Sequence, residues 1–150
     1  MDKTEALQKI ISETENIVFF GGAGVSTESG IPDFRSVDGL YHQQWDYPPE
    51  NHIKPPLFYE KTRGILSFLQ GEKCFVILLC QNAAHKKLAE MEQKGKLKAI
   101  VTQNIDNLHQ MAGSKHVLEL HGSVYRNYCM KCGAFYDFAY MKKRRRCSKM

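Results

Sequence analysis

The sequence predicts an α/β fold built on a parallel, doubly wound sheet, and three observations carry that prediction. Short apolar runs that suit buried strands alternate along the chain with amphipathic helical segments. The first apolar run leads directly into the glycine-rich segment GGAG at residues 21–24, the usual opening of a nucleotide-binding α/β unit. Polar segments follow the predicted strands, at the edge of the sheet where such folds bind ligands.

The composition is that of one globular domain. The chain has 150 residues, of which 43% are apolar and 25% are charged. Much of its net charge of +5 lies in the basic run 142–146, so no general nucleic-acid surface is predicted. We find no signal-peptide pattern, and the longest apolar run, residues 74–80, is too short to cross a bilayer. We therefore predict a cytoplasmic protein whose cysteines favour metal binding or chemistry over disulfides.

The first predicted elements are a helix and a buried strand. Asp2 and Glu5 have the spacing of a capping box, and the helix they open is predicted to run to about Glu15. Residues 17–20, IVFF, form a continuous apolar run that predicts a strand buried on both faces. Residues 74–80 are ambiguous between strand and helix.

Regular patterning returns at Asn82, which is predicted to cap a helix that ends at Gly95. The apolar stripe of this helix is predicted at Ala84, Leu88 and Met91. The later elements are predicted as a strand at 98–102, a helix at 104–112 and a strand at 117–120.

The polar segment after the first strand reads GGAGVSTESGIPDFR. It is not a standard dinucleotide fingerprint, because Thr27 stands where the third glycine would be. Gly22 and Gly24 would still let backbone amides approach a diphosphate, with Arg35 facing the phosphates and Phe34 an aromatic ring. Hydroxyl donors are supplied by Ser26, Thr27 and Ser29. The alternative is a tight strand-to-helix turn with no ligand.

Two further polar groups follow the later strands. Gln103, Asn104 and Asp106 could hold an amide or a ribose through paired hydrogen bonds. Alternatively, Asn104 caps a helix and Asp106 favours its dipole. His121 follows the last predicted strand and could serve as a base near neutral pH, or it could be structural.

The C-terminal stretch contains a C-x-x-C pair, Cys129 and Cys132, followed by Cys147. Fourteen residues separate the last two, just under the spacing of about 15–20 typical of zinc ribbons. Met150 stands where a fourth cysteine would complete a second pair. The pattern alone is open to an incomplete metal site, a redox pair or a truncated chain.

Taken together, GAGVSTESGIPDFR, TQNIDNLH and LELHGSVYRNYCMKC resemble the signatures of the sirtuins, NAD-dependent protein lysine deacylases, in their bacterial-type form. The resemblance covers about residues 1–50 and 82–137. It implies the N-terminal part of a Rossmann-like parallel sheet with a small zinc-ribbon module, the C-terminal half of the sheet being missing. An exposed apolar sheet edge would follow from that loss.

The resemblance also implies a cofactor, a metal and roles for individual residues. His121 would be the catalytic base, acting on a ribose hydroxyl while the acyl group passes from an acyl-lysine protein to ADP-ribose and nicotinamide is released. Zinc would be held by Cys129, Cys132 and Cys147. The residues assigned to NAD binding are Gly22, Ala23, Gly24, Thr27, Phe34, Arg35, Gln103, Asn104, Ile105, Asp106 and His121.

The sequence departs from the sirtuin pattern in two places. Residues 51–81 do not match it although both flanks do, which suggests a shift of reading frame that is later corrected. The zinc module, residues 123–150, is incomplete, which leaves 1–50 and 82–122 as the NAD-binding part. The alternatives to a deacetylase are a non-catalytic NAD- or zinc-binding fragment and a small basic zinc module that binds nucleic acid.

Overall fold

The structure, a computed structural model, describes residues 2–33, 35–37, 39 and 80–142. The expectations for residues 51–79, which include most of the ambiguous run 74–80 and of the divergent segment 51–81, lie outside the described residues and stay predictions. None of the described helices has the length and apolar character needed to cross a membrane. The elements in chain order are α1 (Lys3–Glu13), β1 (Ile17–Gly21), a 3-10 helix (Ala23–Ser29), α2 (Ala83–Gln93), β2 (Leu97–Thr102), α3 (Leu108–Met111), β3 (Val117–Glu119), β4 (Arg126–Tyr128), β5 (Phe135–Asp137) and α4 (Phe138–Lys142).

The first three strands form a parallel sheet in the order β1-β2-β3, which confirms the predicted α/β class. Phe19 pairs with Ile100, and Ile100 pairs with Val117, so the apolar runs lie side by side. The backbone hydrogen bonds between β1 and β2 continue one residue beyond β2, because the Gln103 N–H donates to the Gly21 carbonyl at 3.0 Å. The carboxyl ends of the strands therefore share one edge, as the sequence predicts.

One face of this sheet carries the core, and α2 covers it. Leu88 and Met91 of α2 are buried against Leu97 and Ile100 of β2. The side chains that pack around this cluster while partly buried are Ile11, Ile17, Phe19 and Val117. Each fully buried aliphatic side chain contributes about 1.5–3 kcal/mol, so this cluster is the main source of stability in the described part.

The opposite face of the sheet is apolar and exposed, so the prediction that residues 17–20 are buried on both faces is wrong. Val18 and Phe20 are each 61% exposed, and Leu118 of β3 is 58% exposed. Side chains alternate along a strand, so the register places these three on the face away from α2. No helix of the described part covers that face.

The helix α1 begins as predicted and ends two residues before the predicted Glu15. Asp2 N–H donates to Glu5 Oε2 at 3.1 Å, which is the Glu half of the expected capping box. At the other end, Lys96 Nζ donates to the Ile11 carbonyl at 3.2 Å and to the Ser12 carbonyl at 3.0 Å. This lysine from the α2–β2 connection satisfies carbonyls of the last turn, so the chain can leave the helix and enter β1.

The helix α2 confirms the predicted cap and stop. The Asn82 side chain accepts hydrogen bonds from the N–H groups of Ala84 and His85, and Gly95 adopts a φ of +76° just past the helix end. The predicted stripe needs one correction, because Ala84 is exposed and His85 is buried in its place. The rest of the predicted stripe is confirmed, since Leu88 and Met91 are buried.

The helix predicted at 104–112 is wrong in extent, because α3 covers only Leu108–Met111. Asn107 has a φ of +65°, a left-handed conformation that an α-helix cannot pass through. Asp106 Oδ1 accepts the N–H of Leu108 at 2.9 Å, so Asp106 satisfies the start of α3 in place of the predicted Asn104.

Candidate functional site

The glycine-rich segment turns directly from β1 into the 3-10 helix. Val25 N–H donates to the Gly22 carbonyl at 3.0 Å, and Ile31 N–H donates to the Ser26 carbonyl at 3.2 Å. A Cβ placed on Gly22 or Gly24 would meet no heavy atom within 4 Å. Packing within the described part therefore does not require glycine at these positions, and the backbone there is open to a ligand.

Side-chain hydrogen bonds join this turn to the segment after β2. Ser26 Oγ donates to Asp106 Oδ2 at 2.7 Å, and both residues are buried. Asn104 Nδ2 donates to Ser26 Oγ at 3.0 Å and to the Gly22 carbonyl at 3.1 Å. Of the predicted site residues, the structure thus brings Gly22, Asn104 and Asp106 together in one network, with Ser26 at its centre.

Both carboxylate oxygens of Asp106 accept hydrogen bonds within the protein, one from Ser26 and one from the Leu108 N–H. The side chain is only 5% exposed. Its observed contacts are therefore structural, and it fixes the segment on which Gln103 and Ile105 stand. Gln103 is exposed, and the Ile105 carbonyl accepts the Val124 N–H at 3.2 Å.

Asn82 holds the 3-10 helix from its other side. Asn82 Nδ2 donates to the Val25 carbonyl at 2.7 Å, while its Oδ1 caps α2. The sequence predicts Asn82 only as a cap, because nothing in the local pattern indicates a partner 57 positions away. One asparagine therefore connects the start of α2 to the glycine-rich turn.

Two buried histidines lie beneath the network, and the sequence analysis missed both. His85 is 0% exposed and His109 is 1% exposed, with ring centroids 4.7 Å apart in an edge-to-face arrangement. Burial lowers the pKa of His85, although the Asp106 carboxylate opposes the shift. Burial is the main cause that lowers the pKa of His109 to about 4, and the neighbouring His85 lowers it further. The Asp106 carboxylate opposes this shift as well. Both imidazoles are therefore neutral at pH 7.

Within the described part of the chain, neither ring nitrogen of His109 has a hydrogen-bond partner. His85 Nδ1 lies 2.9 Å from Asn82 Oδ1 and 3.4 Å from the Asn82 backbone nitrogen, so it donates to the first or accepts from the second according to its tautomer. The imidazole of His85 thus supports the same asparagine that holds Val25.

His121 lies on an exposed loop that follows β3, with Gly122 at a φ of +76°. Leu120 N–H donates to the Thr102 carbonyl at 2.9 Å, which keeps the start of this loop at the carboxyl edge of the sheet. Val124 is buried, and its N–H donates to the Ile105 carbonyl. The loop is therefore attached to the segment after β2, although no side-chain bond joins His121 itself to the Ser26 network.

The end of the glycine-rich segment is exposed. Ser36 donates through its hydroxyl and its N–H to Asp33, which lowers the pKa of the Asp33 carboxyl. The N–H bond to Asp33 Oδ1 is 2.9 Å long. Arg35 is exposed, and Phe34 lies outside the described residues. Thr27 is also exposed, and its Oγ1 donates to the Gly24 carbonyl at 2.9 Å.

The C-x-x-C pair lies on the turn between β4 and β5. Cys129 N–H donates to the Ala134 carbonyl and the Gly133 N–H donates to the Cys129 carbonyl, both at 2.8 Å. Cys129 is half-buried, Cys132 is exposed, and both are thiols. Among residues 2–33, 35–37, 39 and 80–142, no group of three potential ligands could hold a metal ion. Cys147, the third predicted ligand, lies outside these residues.

The family model described as Sir2 family matches residues 22–150 of the chain. The chain belongs to the Sir2 family. Among Sir2 relatives, an NAD-dependent protein deacetylase of Clostridium acetobutylicum is 54% identical over 145 residues, a match that covers 95% of this chain and 59% of that protein. One of Clostridium tetani is 52% identical, with 94% and 58% covered.

Solved Sir2 structures show the same fold. A structure determined for the mechanism and regulation of Sir2 enzymes superposes with a TM-score of 0.83 at 40% identity, covering 99% of this chain and 60% of that one. A Sir2 structure with a deacetylated p53 peptide and 3'-O-acetyl ADP ribose gives a TM-score of 0.84 at 36% identity, covering 95% and 56%. The predicted fold class is confirmed, and the chain spans under two thirds of these relatives.

Proposed function

We propose that this chain is part of an NAD-dependent protein lysine deacetylase, which transfers an acyl group from acyl-lysine to ADP-ribose and releases nicotinamide. The observation that carries the proposal is the Ser26–Asn104–Asp106 network, which fixes the glycine-rich turn against the segment after β2. The names of the Sir2 relatives supply the reaction class.

The proposed NAD site fits the described residues at two points. The backbone around Gly22 and Gly24 is open, so a diphosphate can approach its amides. Thr27 and Gln103 are exposed beside the bonded network and are available to a ligand. The full set proposed for NAD is Gly22, Ala23, Gly24, Thr27, Phe34, Arg35, Gln103, Asn104, Ile105, Asp106 and His121.

Catalysis is proposed to depend on His121 as the general base. The side chain is exposed on a loop attached to the carboxyl edge of the sheet, where a substrate hydroxyl can reach it. A neutral imidazole can accept a proton from such a hydroxyl at its free ring nitrogen. The acyl-lysine substrates would be proteins; a solved Sir2 relative contains a deacetylated p53 peptide.

Zinc is proposed as a structural metal of the module at residues 123–150. The thiols of Cys129 and Cys132 stand on one tight turn, which suits two ligands of a tetrahedral site. Cys147 is proposed as a third ligand. We further propose that 1–50 and 82–122 form the NAD-binding part, that 51–81 replaces the small-lobe helices, and that the protein is cytoplasmic.

The test is an NAD-consumption assay with an acetyl-lysine peptide, on the chain and on its His121→Ala variant. We expect nicotinamide release that His121→Ala abolishes and that His116→Ala, on the exposed loop before β3, leaves unchanged. Equal turnover in the chain and in His121→Ala would refute the assigned base. NAD binding without turnover by the wild-type chain would instead support the non-catalytic fragment.

A further inference from the structure

An ion pair between Glu119 and Arg126 lies beside the loop that carries His121, with the Glu119 side chain buried and the Arg126 side chain 50% exposed. The Glu119 side chain is only 4% exposed. Gln110 Nε2 of α3 donates to Glu119 Oε1 at 2.7 Å, and the Arg126 guanidinium donates to Glu119 Oε2. Each carboxylate oxygen therefore has a donor, which is the condition for keeping a carboxylate out of water.

Because of its position in the chain, this ion pair affects the loop that carries His121. Glu119 is the last residue of β3, and Arg126 is the first residue of β4. The segment between them, residues 120–125, is here called the His121 loop. The ion pair joins the two ends of this loop, so it limits how far the loop can open.

The backbone bonds of the His121 loop are few. Leu120 N–H donates to the Thr102 carbonyl and Val124 N–H donates to the Ile105 carbonyl, which hold the loop at two points. Gly122 lies between these points, and its N–H reaches the Glu119 carbonyl at 3.4 Å, a long hydrogen bond. The loop around His121 therefore depends on how firmly its ends are fixed.

Arg126 also belongs to the hairpin that carries the C-x-x-C pair. It pairs with Asp137 in the β4–β5 register, three residues before Cys129. A guanidinium presents several donors in a rigid fork, so one side chain can orient the hairpin relative to a carboxylate. The hairpin and the sheet edge are thus connected through the same ion pair that closes the His121 loop.

We propose that Glu119 and Arg126 are positioning residues for His121, because their ion pair closes the loop and sets its distance from the sheet edge. The proposal rests on the proposed function only in taking His121 as the base. The ion pair does not touch the substrate in this proposal. Its effect is to hold the His121 loop in one conformation.

The test is amide hydrogen exchange, followed by NMR, on the whole chain. In Arg126→Met, exchange at the Leu120 and Val124 amides is expected to be at least about tenfold faster, a change of about 1.4 kcal/mol in the local opening. Arg126→Lys keeps the charge and should recover most of the protection. The matched control is Lys87→Met, which removes a lysine from a salt bridge on the exposed face of α2 and should leave both amides unchanged.

The Ile100 amide distinguishes positioning from general stability, because it donates to the His116 carbonyl within the sheet. Unchanged exchange at Leu120 and Val124 in Arg126→Met would overturn the proposal, and so would an equal acceleration at Ile100. If Arg126→Met does not fold, Glu119→Gln is measured in the same way. It removes the charge from the pair while a Gln side chain can still accept from Gln110.

Turnover gives a second readout wherever the wild-type chain is active. Arg126→Met is expected to lower kcat by about tenfold or more while KM for NAD stays within about twofold, with recovery in Arg126→Lys. A rise in KM without a fall in kcat would contradict a positioning role for His121. A wild-type chain without turnover refutes the proposed function, whereas the exchange experiment still decides the role of the ion pair.

Discussion

At the scale of single residues, the neutral pair His85 and His109 has the clearest physical consequence. Both imidazoles are buried, and a charged imidazole would lose its hydration without gaining a partner that replaces water. The nearby Asp106 carboxylate favours protonation, but its effect is smaller than that of burial. The folded state therefore excludes protons that the unfolded chain would bind.

This exclusion predicts an acid-sensitive stability. The pKa of His109 falls from an ordinary 6.5 to about 4, so the unfolded state binds more protons between these values. The stabilisation that this pKa difference contributes to the folded state is fully present above about pH 6.5 and is lost as the pH falls toward 4. At about 1.4 kcal/mol per pKa unit, it is on the order of 3 kcal/mol. Urea unfolding at several pH values measures it.

Replacing His109 by leucine should flatten this pH dependence. The ring nitrogens have no partner in the described part, so the substitution removes no hydrogen bond and should change stability little at pH 7. His121→Gln, at an exposed histidine, is the control and should keep the wild-type loss between pH 6.5 and 4. The same steep loss in His109→Leu would show that another group carries the acid sensitivity.

Ser26 is a second residue whose effect can be predicted. Ser26→Ala removes the donor to Asp106 Oδ2 and the acceptor for Asn104 Nδ2, which leaves buried polar atoms unpaired. We expect a loss of about 1–3 kcal/mol in the free energy of unfolding, measured by urea denaturation. Ser12→Ala removes an exposed hydroxyl of α1 that bonds only to the Lys9 carbonyl, and it should cost less than about 0.5 kcal/mol.

At the scale of elements, the sequence predicts the three strands of the parallel sheet well because local apolar runs determine them, whereas β4 and β5 have no predicted counterpart. The predicted strand at 98–102 and the observed Leu97–Thr102 differ by one residue. The helix α3 is predicted poorly because its start is decided by tertiary partners. Asn104 has the character of a cap, but its side chain bonds to Gly22 and Ser26 across the sheet edge. A local sequence pattern does not show that these tertiary partners compete with helix capping for the Asn104 side chain.

The candidate site likewise contains residues that the sequence predicts and residues that it does not. Spacing and residue type predict that Gly22, Asn104 and Asp106 meet at one edge, and the structure joins them. The contributions of Asn82 and His85 could not be predicted, because they depend on how α2 is rotated against the sheet. Whether Phe34 and Cys147 join the site stays a prediction, since both lie outside the described residues.

Asn82 gives a prediction at the element scale, since it connects α2 to the 3-10 helix. Asn82→Ala removes the cap and the bond to the Val25 carbonyl, and it should cost about 1–2 kcal/mol in urea unfolding. Asn82→Ser keeps a capping hydroxyl but cannot donate to Val25. It should therefore retain the helix while amide exchange at Gly30 and Ile31 becomes faster. Unchanged hydrogen exchange at the Gly30 and Ile31 amides would show that the bond from Asn82 to Val25 does not stabilise the 3-10 helix.

At the scale of the whole molecule, the exposed face of the sheet sets how the chain behaves in solution. Parallel sheets are normally covered on both faces, and here α2 covers only one. The sequence predicts an exposed apolar edge, whereas the structure shows an exposed apolar face that runs from β1 to β3. An apolar face of this kind promotes self-association and binds apolar dyes.

Lysines on the two edge strands should therefore improve solubility without loss of stability. Val18 and Leu118 are 61% and 58% exposed, so Val18→Lys with Leu118→Lys buries no charge. We expect dye fluorescence to fall by about twofold or more, aggregation to begin at a higher protein concentration, and the free energy of unfolding to change by less than about 1 kcal/mol. Thr4→Lys with Gln8→Lys, at exposed positions of α1, adds the same two charges and is the control for a change in net charge. Unfolding of the double lysine variant, or dye fluorescence equal to that of the wild-type chain, would mean that this face is covered in solution.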